Sequence, residues 1–87
     1  MNAAERQAYI EKHLTQAFSP NYLTVIDESD QHHGHPGHGG AGHYAIVIQT
    51  SCFEGLSKVE GHRKIYAALK AVIPNEIHAL RISILGG

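Results

Sequence analysis

Residues 30–43 limit what this 87-residue chain can fold into more than any other stretch. They hold five of its nine glycines (Gly34, Gly37, Gly39, Gly40, Gly42), Pro36, and five of its eight histidines (His32, His33, His35, His38, His43). Glycine loses the most backbone freedom on ordering and proline lacks an N–H, so this composition reads as a loop. The segments on either side read as strands: residues 22–28 (YLTVIDE) and 43–50 (HYAIVIQT) are rich in β-branched and aromatic residues. Two such strands joined by a loop predict an antiparallel hairpin. Its connection is longer than the usual two to five residues, and long loops in compact domains are often functional.

The hairpin is preceded by a helix signature. Asn2 with Glu5 three positions on forms a capping box, and Ile10, Leu14, Ala17 and Phe18 then make one apolar stripe. Ser19-Pro20 ends it, because the residue before proline avoids helical geometry. A second capping box, Ser57 with Glu60, opens a second helix. There Val59, His62, Ile65, Tyr66, Leu69, Val72 and Ile73 recur at helical spacing up to Pro74. Residues 77–85 alternate as a third strand, with His78, Leu80, Ile82 and Ile84 expected on one face and Ile77, Ala79, Arg81 and Ser83 on the other. The order helix, strand, strand, helix, strand makes strands two and three parallel through a crossover helix. The expected fold is α+β: one domain over residues 1–87, a two-layer sandwich with both helices on one face of a three-stranded mixed sheet.

The bulk numbers narrow the function. A formal charge of −1 opposes a dedicated nucleic-acid binder, which ordinarily carries a clear basic excess. Lys58, Arg63, Lys64 and Lys70 nevertheless gather in one segment and are the candidate phosphate contacts. The single cysteine, Cys52, rules out an intramolecular disulfide and a CxxC zinc site, and fits a reducing compartment. No run of about 18 apolar residues exists, and the first residues lack a signal-peptide core, so a cytoplasmic protein without membrane contact is expected. No paired-carboxylate or nucleophile–base constellation is visible, so no catalytic residue is expected.

Histidine is the commonest metal ligand in proteins, which makes the histidine-rich stretch and the remote His78 together the candidate metal site. His62, on the apolar stripe of the second helix, and His43, opening the second strand, read as structural. His13 reads as a helix-surface residue, and Cys52 as a small hydrophobe.

Several runs, in order along essentially the whole chain, resemble the BolA family: YLTVIDES at 22–29, His43-Tyr44, CFEG at 52–55, GHRKIY at 61–66 and IHAL at 77–80. The resemblance implies a fold like class II KH domains, a monothiol glutaredoxin as partner, and a [2Fe–2S] cluster shared with that partner and glutathione. Carried over, the C-terminal ligand is His78, and the loop ligand falls on His32, with His33 and His35 near enough to substitute. Imidazole is a sound iron ligand, as Rieske centres show. The chain departs from the family pattern where Gly42 replaces Ser or Thr before His43 and where Gly61 replaces the first arginine of R-H-R. The four-residue G-x-x-G loop of nucleic-acid-binding KH domains is missing around Glu54-Gly55.

Three readings follow. The first is a non-enzymatic adaptor that co-ligates a bridging cluster, monomeric or weakly dimeric when free. The second is a DNA-binding regulator using the basic helix. The third is a metal-binding module that holds a divalent metal on the histidine loop alone.

Overall fold

The computed structural model describes residues 1–29 and 42–86. Helix α1 (Ala3–Phe18) is followed by strands β1 (Tyr22–Asp27) and β2 (Gly42–Gln49), helix α2 (Lys58–Ala68) and strand β3 (Ile77–Ile84). Single 3₁₀ turns at Ser51–Phe53 and Lys70–Val72 flank α2. The sheet order is β1-β2-β3, with β1 antiparallel and β3 parallel to the central β2, so the expected α+β fold and mixed sheet are present.

Both capping boxes form as the sequence requires. The Asn2 side chain accepts from the Glu5 N–H at 2.8 Å while the Glu5 carboxylate accepts from the Asn2 N–H at 2.9 Å. Ser57 and Glu60 repeat the exchange at 3.1 and 3.2 Å. Each box satisfies two N–H groups that a helix start leaves without partners.

The core lies between the helices and one face of the sheet. Ile10, Leu14 and Phe18 of α1 pack with Val25, Ile46 and Ile48 of the hairpin and with Ile65 and Leu69 from the α2 side. Ala17, expected on the α1 stripe, is exposed. Helix α2 is shorter than its spacing suggests. It ends at Ala68, Leu69 caps it, and Val72 reaches the core from the 3₁₀ turn. Val59 and Tyr66 are 58% and 41% exposed and so are not core residues. A three-stranded sheet is narrow, and it covers only the arc of α2 carrying Gly61, Ile65 and Leu69.

Gly61 has a packing reason of its own. A Cβ built there would lie 2.5 Å from Ile84 Cδ1, so the helix backbone approaches β3 closely. Position 61 is buried, which makes its lack of a positive charge a matter of packing before it is one of phosphate contact. Thr50 is the one buried polar residue among the described residues, and it is satisfied. Its hydroxyl donates to the Phe18 carbonyl at 2.7 Å and accepts from the Cys52 N–H at 3.2 Å.

One expectation about β3 is corrected. Strict alternation puts His78 on the face of Leu80, Ile82 and Ile84, but the register skips a residue: Gly42 pairs with Ile77 and His43 with Ala79. His78 is the extra residue of this bulge. Ile77 therefore joins the core at 1% exposure, and His78 is exposed. Bulges re-aim side chains in this way and recur beside functional sites.

Candidate metal centre

The bulge brings His78 beside His43 at the start of β2. Their ring centres are 5.1 Å apart, with the planes tilted by 52°. Both line an open cleft of about 440 Å³ together with Glu28, Ala79, Leu80 and Arg81. The backbone of His43 is fixed on both sides: its N–H donates to Ser29 Oγ at 3.1 Å, and its carbonyl accepts from the Glu28 N–H at 2.8 Å. The sequence assigned His43 a structural role and did not pair it with His78. Only the parallel pairing of β2 with β3 makes the two neighbours, and no local pattern carries that information.

Arg81 crosses the outer face of β2 from β3 to the end of β1. Its Nε donates to Glu28 Oε1 at 3.2 Å and its terminal nitrogen to Glu28 Oε2, a bidentate pair. The Glu28 carboxylate raises the Arg81 pKa further, chiefly by accepting these hydrogen bonds. The cleft is thereby left with two opposite charges that offset each other and two imidazoles. Neutral imidazole suits iron, zinc, copper and nickel, so the described donors fit an iron–sulfur or transition-metal centre. Among the described residues no group of three or more histidine, cysteine, aspartate or glutamate side chains could hold a metal ion, so two imidazoles would need donors from elsewhere to complete a centre. His32, His33, His35 and His38 lie outside the described residues.

The turn before His78 is tied to α1. Arg6 Nε donates to Glu76 Oε1 at 3.1 Å, and the N-terminal ammonium lies 3.2 Å from the same oxygen. The Gly42 N–H donates to the Glu76 carbonyl at 3.0 Å. Glu76 thus joins α1, the start of β2 and the start of β3. The Arg6 hydrogen bond, followed by that of the N-terminal amine, holds the Glu76 carboxyl below its ordinary value. Folding then favours the ionised form. Its stabilisation is complete above the unfolded value of about 4.3 and is lost as pH falls through the lower folded value. Glu76→Gln should therefore melt below wild type at pH 7, and the two should converge on acidification below the folded value. Thermal melts across the acid range check this, and a constant gap would exclude ionisation of Glu76 as the cause.

The remaining sequence candidates are dispersed. Lys58, Arg63, Lys64 and Lys70 are all exposed. At 100° per residue, Arg63 and Lys64 flank Glu60 on α2, and Lys58 lies away from both, so the segment is not one basic stripe. His62 is half-buried on α2. His13, expected on the surface, is half-buried: its Nδ1 lies 3.0 Å from the Tyr9 carbonyl and its ring stacks on Tyr9 with centres 3.7 Å apart. Cys52 is exposed rather than a buried hydrophobe, with Sγ 3.4 Å from the Phe18 carbonyl. Among the described residues no helix is long and apolar enough to cross a membrane.

Comparison with known proteins places this architecture. The family model for BolA-like protein matches residues 14–86. The chain is 46% identical over 76 residues to an uncharacterised protein of Sinorhizobium sp., covering 84% of this chain and 82% of that protein. It is 38% identical over 76 residues to the DNA-binding transcriptional regulator BolA of Vibrio cholerae, covering 87% and 70% respectively. Among solved structures, the BolA domain of SufE1 from Arabidopsis thaliana superposes with a TM-score of 0.80 at 35% identity, covering 91% of this chain and 88% of that one. Sequence and architecture agree along nearly the whole chain, and the protein belongs to the BolA-like family.

Proposed function

We propose that this protein is a non-enzymatic adaptor in iron–sulfur cluster assembly or trafficking. It docks on a monothiol glutaredoxin and supplies His78 as a ligand to a [2Fe–2S] cluster shared with that partner and glutathione. The observation that carries this reading is the β3 bulge, which turns an otherwise core-facing histidine outward into an open cleft beside a second imidazole. The cluster would supply electron-transfer or transferable-cofactor chemistry. The chain contributes imidazole donors on a rigid sheet and the Arg6–Glu76 tie that fixes the turn before His78.

Thiolate and imidazole ligation set different potentials and labilities, so the mixed complex should differ spectroscopically from a glutaredoxin-only cluster. Anaerobic titration into [2Fe–2S]-loaded monothiol glutaredoxin, followed by visible circular dichroism, should give a new spectrum saturating at about one-to-one stoichiometry. His78→Ala should abolish or strongly alter that spectrum. An unchanged spectrum for His78→Ala would show that His78 is not a ligand.

A second reading, DNA binding, is favoured by the similarity to the DNA-binding transcriptional regulator BolA of Vibrio cholerae. Exposed Lys58, Arg63, Lys64 and Lys70 would supply phosphate contacts. The acidic Glu60 among them and the formal charge of −1 weigh against it. If wild-type protein left the glutaredoxin spectrum untouched, this reading would come forward, with DNA affinity expected to fall steeply as salt rises.

A further inference from the structure

We propose that Arg81 is a partner-recognition residue: its guanidinium hydrogen-bonds a carboxylate that the partner brings into the cleft, from the cluster-bound glutathione or from an acidic side chain of the glutaredoxin. This rests on the cluster-bridging reading above and adds to it a contact that recognises the partner. Arg81 is the one full cation among the described residues lining the cleft, which it shares with His78. On the outer face of β3 it stands opposite Ala45 of β2 in register. Ala45 is small and 3% exposed, so its side chain does not obstruct the arginine stem on its way across β2 to Glu28.

The pairing with Glu28 orients the guanidinium without using it up. The Glu28 side chain is 14% exposed, whereas that of Arg81 is 69% exposed. A guanidinium carries five N–H donors, and Glu28 engages only two of them, at Nε and at one terminal nitrogen. The remaining donors serve an incoming acceptor, and a planar fork matches a carboxylate in particular. Because the side chain is already held across the sheet, little rotamer freedom is left to lose on docking. Glutathione carries two carboxylates besides its thiolate. A thiolate on the same cluster as His78 brings those carboxylates toward the cleft that Arg81 lines.

The test is the affinity of the full chain for monothiol glutaredoxin, measured by anaerobic calorimetric titration. The glutaredoxin is used both free of cluster and glutathione and loaded with both. Arg81→Gln should weaken binding to the loaded form by about tenfold, the loss expected for one charge-assisted contact. A loss confined to the loaded form assigns the carboxylate to glutathione; an equal loss with the unloaded form assigns it to a glutaredoxin side chain. Removing Arg81 also strips Glu28 of this cation, so the substitution is repeated in a Glu28→Gln background. There the loss should persist. If Arg81→Gln costs nothing in that background, Arg81 only neutralises Glu28 and the proposal is overturned. Arg81→Lys keeps the charge but not the fork and should recover only part of the affinity, and full recovery would overturn the contact in favour of charge alone. Unchanged affinity for Arg81→Gln also overturns the proposal, while a mixed-cluster spectrum that depends on His78 keeps the bridging reading standing. Wild-type protein that binds neither form overturns both.

Discussion

Ile46→Ala is expected to remove about 2–5 kcal/mol of folding stability, the range for deleting a buried isoleucine side chain. Ile46 is fully buried at the centre of β2 and is paired with Val25 on β1 and Ile82 on β3. The helices pack over the same face, so the site has little freedom to collapse into the void. A chain of 87 residues has a total stability of roughly 4–13 kcal/mol, so the loss is a large share of the whole. At about 4–8 °C per kcal/mol for a domain of this size, the melting midpoint should fall by at least about 8 °C. Val47, the next residue along, faces the other side and is half-buried. Val47→Ala should cost clearly less. Chemical denaturation of both variants checks the contrast, and equal losses would mean that the two faces of β2 are not energetically distinct.

How far the sequence carried depended on whether a feature was local. Both capping boxes lie within four residues, and both form. The hairpin and crossover followed from strand patterns and connection lengths alone, and they are present. What failed needed knowledge of the neighbours. The stripe on α2 included Val59 and Tyr66 because helical spacing does not reveal how wide a sheet lies beneath it. The alternation along β3 placed His78 inward because a bulge is a property of two paired strands, not of one. The family motif singled out His78, but its neighbour His43 became visible only through register, as did the Glu28–Arg81 bridge across β2. Position 42 behaves in the same way. In the sequence Gly42 is one more glycine of a loop; in the fold it is the first residue of β2, lying against an aromatic ring.

Gly42→Ala is therefore expected to destabilise the fold by about 1–3 kcal/mol through overpacking, despite the small entropic gain that replacing glycine brings to the unfolded chain. The added Cβ would lie 2.4 Å from Tyr44 Cε2 and 3.0 Å from its Cζ and hydroxyl oxygen. The ring cannot easily give way. Tyr44 is 1% exposed, its hydroxyl donates to the Ala3 carbonyl at 3.4 Å, and its own strand position is fixed opposite Asp27 and Leu80. Burial, first among the causes, raises the phenol pKa, so the ring stays neutral and is held by packing. Strain at position 42 also reaches the metal-centre candidates, because Gly42 precedes His43 and its N–H holds the Glu76 carbonyl just before Ile77 and His78. Nuclear magnetic resonance should show both imidazole side chains shifting in the variant, alongside the lost stability. A double-mutant cycle isolates the cause. In a Tyr44→Leu background the clashing aromatic atoms are gone, and Gly42→Ala should there cost nothing or stabilise slightly. An undiminished cost in that background would place the constraint in the backbone at position 42 instead of in the Tyr44 ring.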